Sequence, residues 1–247
     1  MENPVTVVVL GGWSPGPLNA LKWRFRERCI FVEPSIPMPP VGISCCSDPF
    51  FFLLIVELAI TPWLCSNLHT LSPAFELKGI TWAFSICSIL VAAMLLARLC
   101  IAGLVRNAMR VGAQCASKII RQRSVDIVVG FSWGGGIASN LLEEGEVGVQ
   151  GTPAVLLLAP TTAAMASCAL RTDAASAIKI DSIDRSRVHV FHATHDPFCP
   201  ASQRARWEFT GATTYVLHDS HIFGEPASLD EIACAFHALC HRRVSDV

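Results

Sequence analysis

Six short stretches of the chain, at 5–10, 29–32, 126–130, 154–159, 188–192 and 213–217, are mostly apolar and rich in β-branched residues. Apolar towards both faces, they read as strands buried in a parallel sheet, and Gly11-Gly12 ends the first of them. Between the strands the period lengthens to that of helices. Pro17 opens a stretch that brings Leu18, Leu21 and Phe25 together. Residues 104–123 set Ala108, Val111, Cys115 and Ile119 on one face, with Arg110, Lys118 and Arg121 off it. Ser228-Leu229-Asp230-Glu231 has the form of a capping box and predicts a last helix buried through Ile232, Ala235, Phe236 and Leu239. Strands alternating with helices predict an α/β fold, a parallel sheet of about six strands with helices on both faces.

One region breaks the alternation. Four prolines within 34–40 exclude a helix there and predict an exit from the sheet. Residues 50–64 are then apolar except for Glu57, and residues 80–105 carry Arg98 as their single charge. As helices these would run roughly 22 Å and 39 Å, against a bilayer core of about 30 Å, so only the second is long enough to span. Lys22, Arg24, Arg26 and Arg28 precede the region, and Arg98, Arg106, Arg110, Lys118, Arg121 and Arg123 follow it. The loop at 66–79 has only Glu76 and Lys78. That bias places both ends on the cytosolic side of any membrane. The expected organisation is an α/β domain from residues 1–40 and 101–247, interrupted by an apolar helical insertion at 41–100. The insertion reads either as a membrane-associated hairpin or as buried helices of a cap.

Composition narrows the field. With 19 Lys+Arg, 20 Asp+Glu and a net charge of −1, the chain has no electrostatic basis for binding nucleic acid. Charged residues make up 16% of it, below the usual ~25%, so part of the apolar surface need not face water. Eleven cysteines without a CxxC pair, and an opening that lacks the pattern of a secretory leader, suggest a reducing compartment.

Gly130-Phe131-Ser132-Trp133-Gly134 matches G-x-S-x-G, with an apolar strand before it and a helix-forming stretch after it. A serine on so sharp a strand-to-helix turn has its hydroxyl held above the sheet. That hydroxyl needs a base to remove its proton, and the base needs an acid to orient it. Asp196 follows the strand at 188–192 and His221 follows the strand at 213–217, giving the chain order Ser132, Asp196, His221. Asp219 is a rival for the acid. His192, His195, His218 and His221 with Asp196 and Asp219 could alternatively be drawn as a metal cluster. In an acyl-transfer site the N–H of the residue after the nucleophile, here Trp133, binds the developing oxyanion.

These segments resemble the α/β-hydrolase superfamily, in particular its small serine esterase, thioesterase and dienelactone-hydrolase-like branch. Gly130 to Gly135 is similar to the nucleophile elbow. His192-Ala193-Thr194-His195-Asp196-Pro197-Phe198-Cys199-Pro200 resembles the H-G-x-x-D-x-x-V-P acid loop, with Ala193 in place of glycine, and Asp219-Ser220-His221 resembles the histidine loop. The resemblance implies Ser132 as nucleophile, His221 as base, Asp196 as acid, and the N–H of Trp13, in Gly11-Gly12-Trp13, as second oxyanion donor. It implies no cofactor and no metal. It further implies a small-molecule carboxylic ester or thioester as substrate, lipophilic if the insertion meets membrane lipid. Caps in this superfamily usually lie later in the chain, so the substrate-covering role is expected to fall to 41–100. The rival from another class is a membrane-anchored binding protein that keeps the fold without turnover.

Overall fold

The computed structural model of the chain describes residues 4–38, 77–178 and 183–245. The apolar segment at 50–64 and the chain after it as far as residue 76 lie outside the described residues, and the loop expected to reach residue 79 is helical from Leu77. The elements run β1 (Val5–Leu10), α1 (Leu18–Phe25), β2 (Cys29–Val32), α2 (Leu77–Gln122), β3 (Ile127–Phe131), α3 (Trp133–Glu143) and β4 (Ala154–Leu158). Then come α4 (Thr162–Ala169), α5 (Ala174–Ala177), β5 (Val188–Ala193), α6 (Arg204–Thr210), β6 (Thr213–Leu217) and α7 (Pro226–Ser245). The strands form one six-stranded sheet in the order β2-β1-β3-β4-β5-β6, every pair parallel. This is the α/β architecture predicted, with strand limits within a residue or so of those expected.

Alternate residues of β1, β3, β4 and β5 feed two cores. Val7, Val9, Ile127, Val129 and Leu156 face α1 and α7. Val8, Leu10, Val128, Val155 and Leu157 face α2, α3 and α4. Leu18, Leu21 and Phe25 of α1 are buried, as are Ile232, Ala235, Phe236 and Leu239 of α7. The start of α7 differs from expectation. The helix begins at Pro226, a residue suited to a first turn because its missing N–H would have no partner there. Ser228 therefore sits inside the helix instead of capping it.

α2 is a single helix of 46 residues, roughly 69 Å long, where the sequence suggested an apolar span joined to an amphipathic helix. It carries the second apolar stretch straight into the domain, crossing residue 100 without a break, and from Ser88 onward its first buried position is Ala102. Among the described residues it is the one helix long and apolar enough to cross a membrane, over Ser88–Gln122, and only 11% of its most apolar window is buried. The packed face also differs from the predicted stripe. Ala102, Val105, Ala108, Ala113 and Ala116 are buried, while Val111, Cys115 and Ile119 flank them half-buried. Small residues win the contact because α2 lies close against α3: a Cβ on Gly112 would stand 2.6 Å from Ile137 Cδ1.

Candidate active site

Ser132 follows β3 directly and begins the turn into α3, with φ 53° and ψ −115°, a conformation that costs an L-residue strain. The surroundings hold it there. Ser132 N–H donates to Leu158 O at 2.9 Å, and Gly136 N–H donates to Ser132 O at 3.0 Å. The turn fits only because Gly134 has no side chain, since a Cβ there would lie 2.0 Å from Leu10 O.

Asp196 and His221 come to Ser132 from β5 and β6, adjacent strands whose following loops are tied together. Thr194 N–H donates to Leu217 O at 2.9 Å and His195 N–H to Asp219 O at 3.0 Å. His221 Nε2 lies 2.8 Å from Ser132 Oγ and His221 Nδ1 lies 2.7 Å from Asp196 Oδ2. The other carboxylate oxygen, Asp196 Oδ1, accepts the N–H groups of Phe198 at 2.8 Å and Cys199 at 2.9 Å. Both oxygens of this fully buried carboxylate are thus engaged, which fixes its plane and leaves it able to accept an imidazole N–H. Three residues far apart in the chain are brought into one hydrogen-bonded series.

Several supporting residues were not legible in the sequence. Phe131 and Phe198 flank the His221 ring at centroid distances of 5.4 Å and 5.2 Å, limiting its rotation. Asp219, weighed as a rival acid, faces its own loop instead. Its Oδ1 accepts Ser220 N–H at 2.6 Å and its Oδ2 accepts Glu225 N–H at 2.9 Å. Burial works to raise the Asp219 carboxyl, and the N–H groups of Glu225 and Ser220 with the Ser228 side chain outweigh it, so the net shift is downward. The serine read as a helix cap therefore braces the loop that carries His221. Beneath Asp196, His192 Nδ1 lies 3.3 Å from Cys199 Sγ. Burial pushes the His192 imidazole down to about 4 and the Cys199 thiol well up, so both are neutral near pH 7. Among the described residues no group of three or more His, Cys, Asp or Glu is arranged to hold a metal ion.

Trp13 and Trp133 meet beside Ser132, their rings 6.3 Å apart. Trp133 is the first residue of α3, so its N–H has no carbonyl partner one turn earlier within the helix. The loop before Trp13 passes against the serine: a Cβ on Gly12 would stand 2.8 Å from Ser132 Cβ. With His221 and Ser132, the two tryptophans line a partly open, mainly apolar cavity of about 230 Å³.

Sheet order and helix placement make this an α/β fold, one parallel sheet with helices on both faces. No family model matches the chain, and no curated protein matches it at a significant level. Among solved structures, the chain is similar in fold to one described as a putative hydrolase from Agrobacterium vitis S4. The two share 14% identity and a TM-score of 0.50, over 97% of this chain and 91% of the other. At that identity the likeness concerns the fold alone.

Proposed function

We propose that the chain is a serine hydrolase of carboxylic esters or thioesters. The observation that carries this reading is the series Ser132 Oγ, His221 Nε2, His221 Nδ1 and Asp196 Oδ2, joined at 2.8 Å and 2.7 Å. His221 takes the Ser132 proton as the oxygen attacks the substrate carbonyl carbon, and the carbonyl π electrons move onto oxygen. The N–H groups of Trp13 and Trp133 bind that oxyanion, each worth about 3 kcal/mol. Collapse expels the alcohol or thiol, which takes the proton from His221, and the acyl group remains on Ser132. Water, deprotonated by His221, attacks the acyl carbon, and as the bond to Ser132 breaks the acid leaves and Ser132 Oγ takes the proton back from His221. Asp196 holds the tautomer that leaves Nε2 free to accept. No cofactor enters the cycle.

The reading extends to location. The exposed apolar half of α2 is embedded in or against membrane lipid, with the sheet on the cytosolic side. Residues 1–40 and 101–247 make the hydrolase unit, and 41–100 make the insertion that meets lipid. Support comes from the exposed Ile89 and Leu96, at 67% and 63%, on a helix whose basic residues gather on the domain side of the span.

The test is fluorophosphonate labelling of the detergent-solubilised chain beside Ser132→Ala, on cells first fractionated by carbonate wash. Labelling of wild type alone, in the carbonate-resistant fraction, is the expected result. A folded wild type that does not label would make the chain a non-catalytic binding protein of the same fold. Labelling confined to the soluble fraction would remove the membrane part of the reading.

A further inference from the structure

The cavity beside Ser132 has two chemically different ends. His221, Thr161 and Ser14 belong to loops gathered around the nucleophile, and Thr161 N–H donates to Ser132 O at 3.3 Å. The helical contributions are apolar: Val105 from α2, and Ala164, Met165 and Cys168 from α4. α4 is built from small residues, Thr-Ala-Ala-Met-Ala-Ser-Cys-Ala, which leave room between it and α2. The two helices are clamped at the cavity wall itself. Arg98 Nη1 of α2 donates to Cys168 O at 2.7 Å and its second terminal nitrogen donates to Ser167 O. These carbonyls lie in the last turn of α4, where a cation is favoured. Widening the cavity would break that clamp.

We infer that the space between α2 and α4 is the acyl subsite, and that it takes an acyl chain of roughly six to ten carbons. The inference rests on the serine-hydrolase reading and names its substrate class. At about 30 Å³ for each water-sized unit, the whole cavity of about 230 Å³, its end beside Ser132 included, holds about eight such units, the size of a medium-length acyl group counted with its carbonyl. A short acyl group leaves apolar wall uncovered and gains little from it. Each further methylene laid against Val105 and Met165 raises kcat/KM about fourfold until the space is full. A much longer chain must part α2 from α4 against the Arg98 clamp. Val105 and Ala164 are then specificity-determining positions, one on each wall.

The experiment is hydrolysis of p-nitrophenyl esters from acetate to palmitate by the full chain in detergent micelles, which disperse the water-insoluble long esters and take the place of membrane delivery. The expected profile climbs from butyrate, peaks between hexanoate and decanoate, and falls about tenfold or more at palmitate. Val105→Phe should lower the octanoate-to-butyrate ratio of kcat/KM by about tenfold or more. Val105 is fully buried and its replacement can unfold the chain, so Ala164→Leu, at a half-exposed wall position, is measured beside it with the same expected direction. Active protein with a flat profile, or one that prefers acetate or palmitate, overturns the inference and leaves the serine-hydrolase reading standing. Failure of that reading looks different, with no hydrolysis at any chain length and no fluorophosphonate labelling in folded protein. In that case thermal stabilisation of Ser132→Ala by octanoate, and not by acetate, keeps the subsite as an acyl-binding site, and no stabilisation overturns it.

Discussion

The two halves of α2 share one helix and differ in their surroundings. From Ser88 to Ile101 no position is fully buried, and Ile89, Leu90, Leu95, Leu96 and Leu99 are exposed. From Ala102 to Gln122 the helix is amphipathic, with small residues against the sheet and Arg106, Arg110, Lys118 and Arg121 turned outward. In the first half most apolar side chains are exposed among the described residues, so their number says nothing about packing. In the second, alanines and Gly112 make the contacts because closeness, not side-chain size, governs how two helices meet. Arg98 marks the junction, tying the end of the exposed half to α4.

The sharpest way to break this contrast is to place the same charge in each half. Ala116→Arg buries an unpaired cation at a position with no exposure, and should cost about 4 kcal/mol or more, abolishing the cooperative thermal transition. Leu96→Arg should leave the transition in detergent unchanged within about 0.5 kcal/mol, while costing about 3 kcal/mol of membrane insertion, read as release by carbonate. Equal effects of the two on folding would erase the distinction between the halves.

Acid separates the sheet from α2 differently, because the helix from Ser88 to Gln122 has no Asp, Glu or His. His192 on β5 stays neutral in the folded chain down to about 4, while in the unfolded chain it protonates near 6.5. Between those values the unfolded state binds the extra proton, so stability falls as pH falls. The unfolding equilibrium constant should rise by up to about tenfold per pH unit over that window, and much less in His192→Gln. Identical pH profiles for the two proteins would remove His192 as the cause.

A smaller effect is expected at the junction. Arg98→Ala removes two charge-assisted hydrogen bonds from a half-exposed site and should cost about 1–2 kcal/mol, lowering the melting temperature by several degrees, with Arg98→Lys in between. The smallest contrast lies between neighbours. Leu104→Ala, at an exposed position, should change stability in detergent by under about 0.5 kcal/mol, while Val105→Ala, one residue on, should cost about 2 kcal/mol. Similar values for the pair would mean that α2 is not seated as described.

Much of the fold was legible because strands buried on both faces need continuous apolar runs, and the six runs became the six strands. The buried faces of α1 and α7 followed from their period alone, since each packs one regular stripe on the sheet. The face of α2 did not. A stripe of Val111, Cys115 and Ile119 is the more hydrophobic choice, and nothing local signals that α3 approaches near Gly112. In the candidate site, Ser132, Asp196 and His221 could be named from their positions after strands. The braces around them could not, because Asp219, Ser228, Phe131 and Phe198 have unremarkable local patterns and meet only through loops from separate strands.

By itself the sequence determined the alternation of strands and helices, the apolar character of the insertion, and the chain order of serine, acid and histidine. These depend on properties read within a few residues: period, branching, charge and turn chemistry. Only the tertiary structure decided that the second apolar stretch runs unbroken into the domain, that Val105 faces α4 across a cavity, and that Asp219 turns away from His221. Those facts depend on distances between segments tens of residues apart, which packing sets and local pattern does not encode.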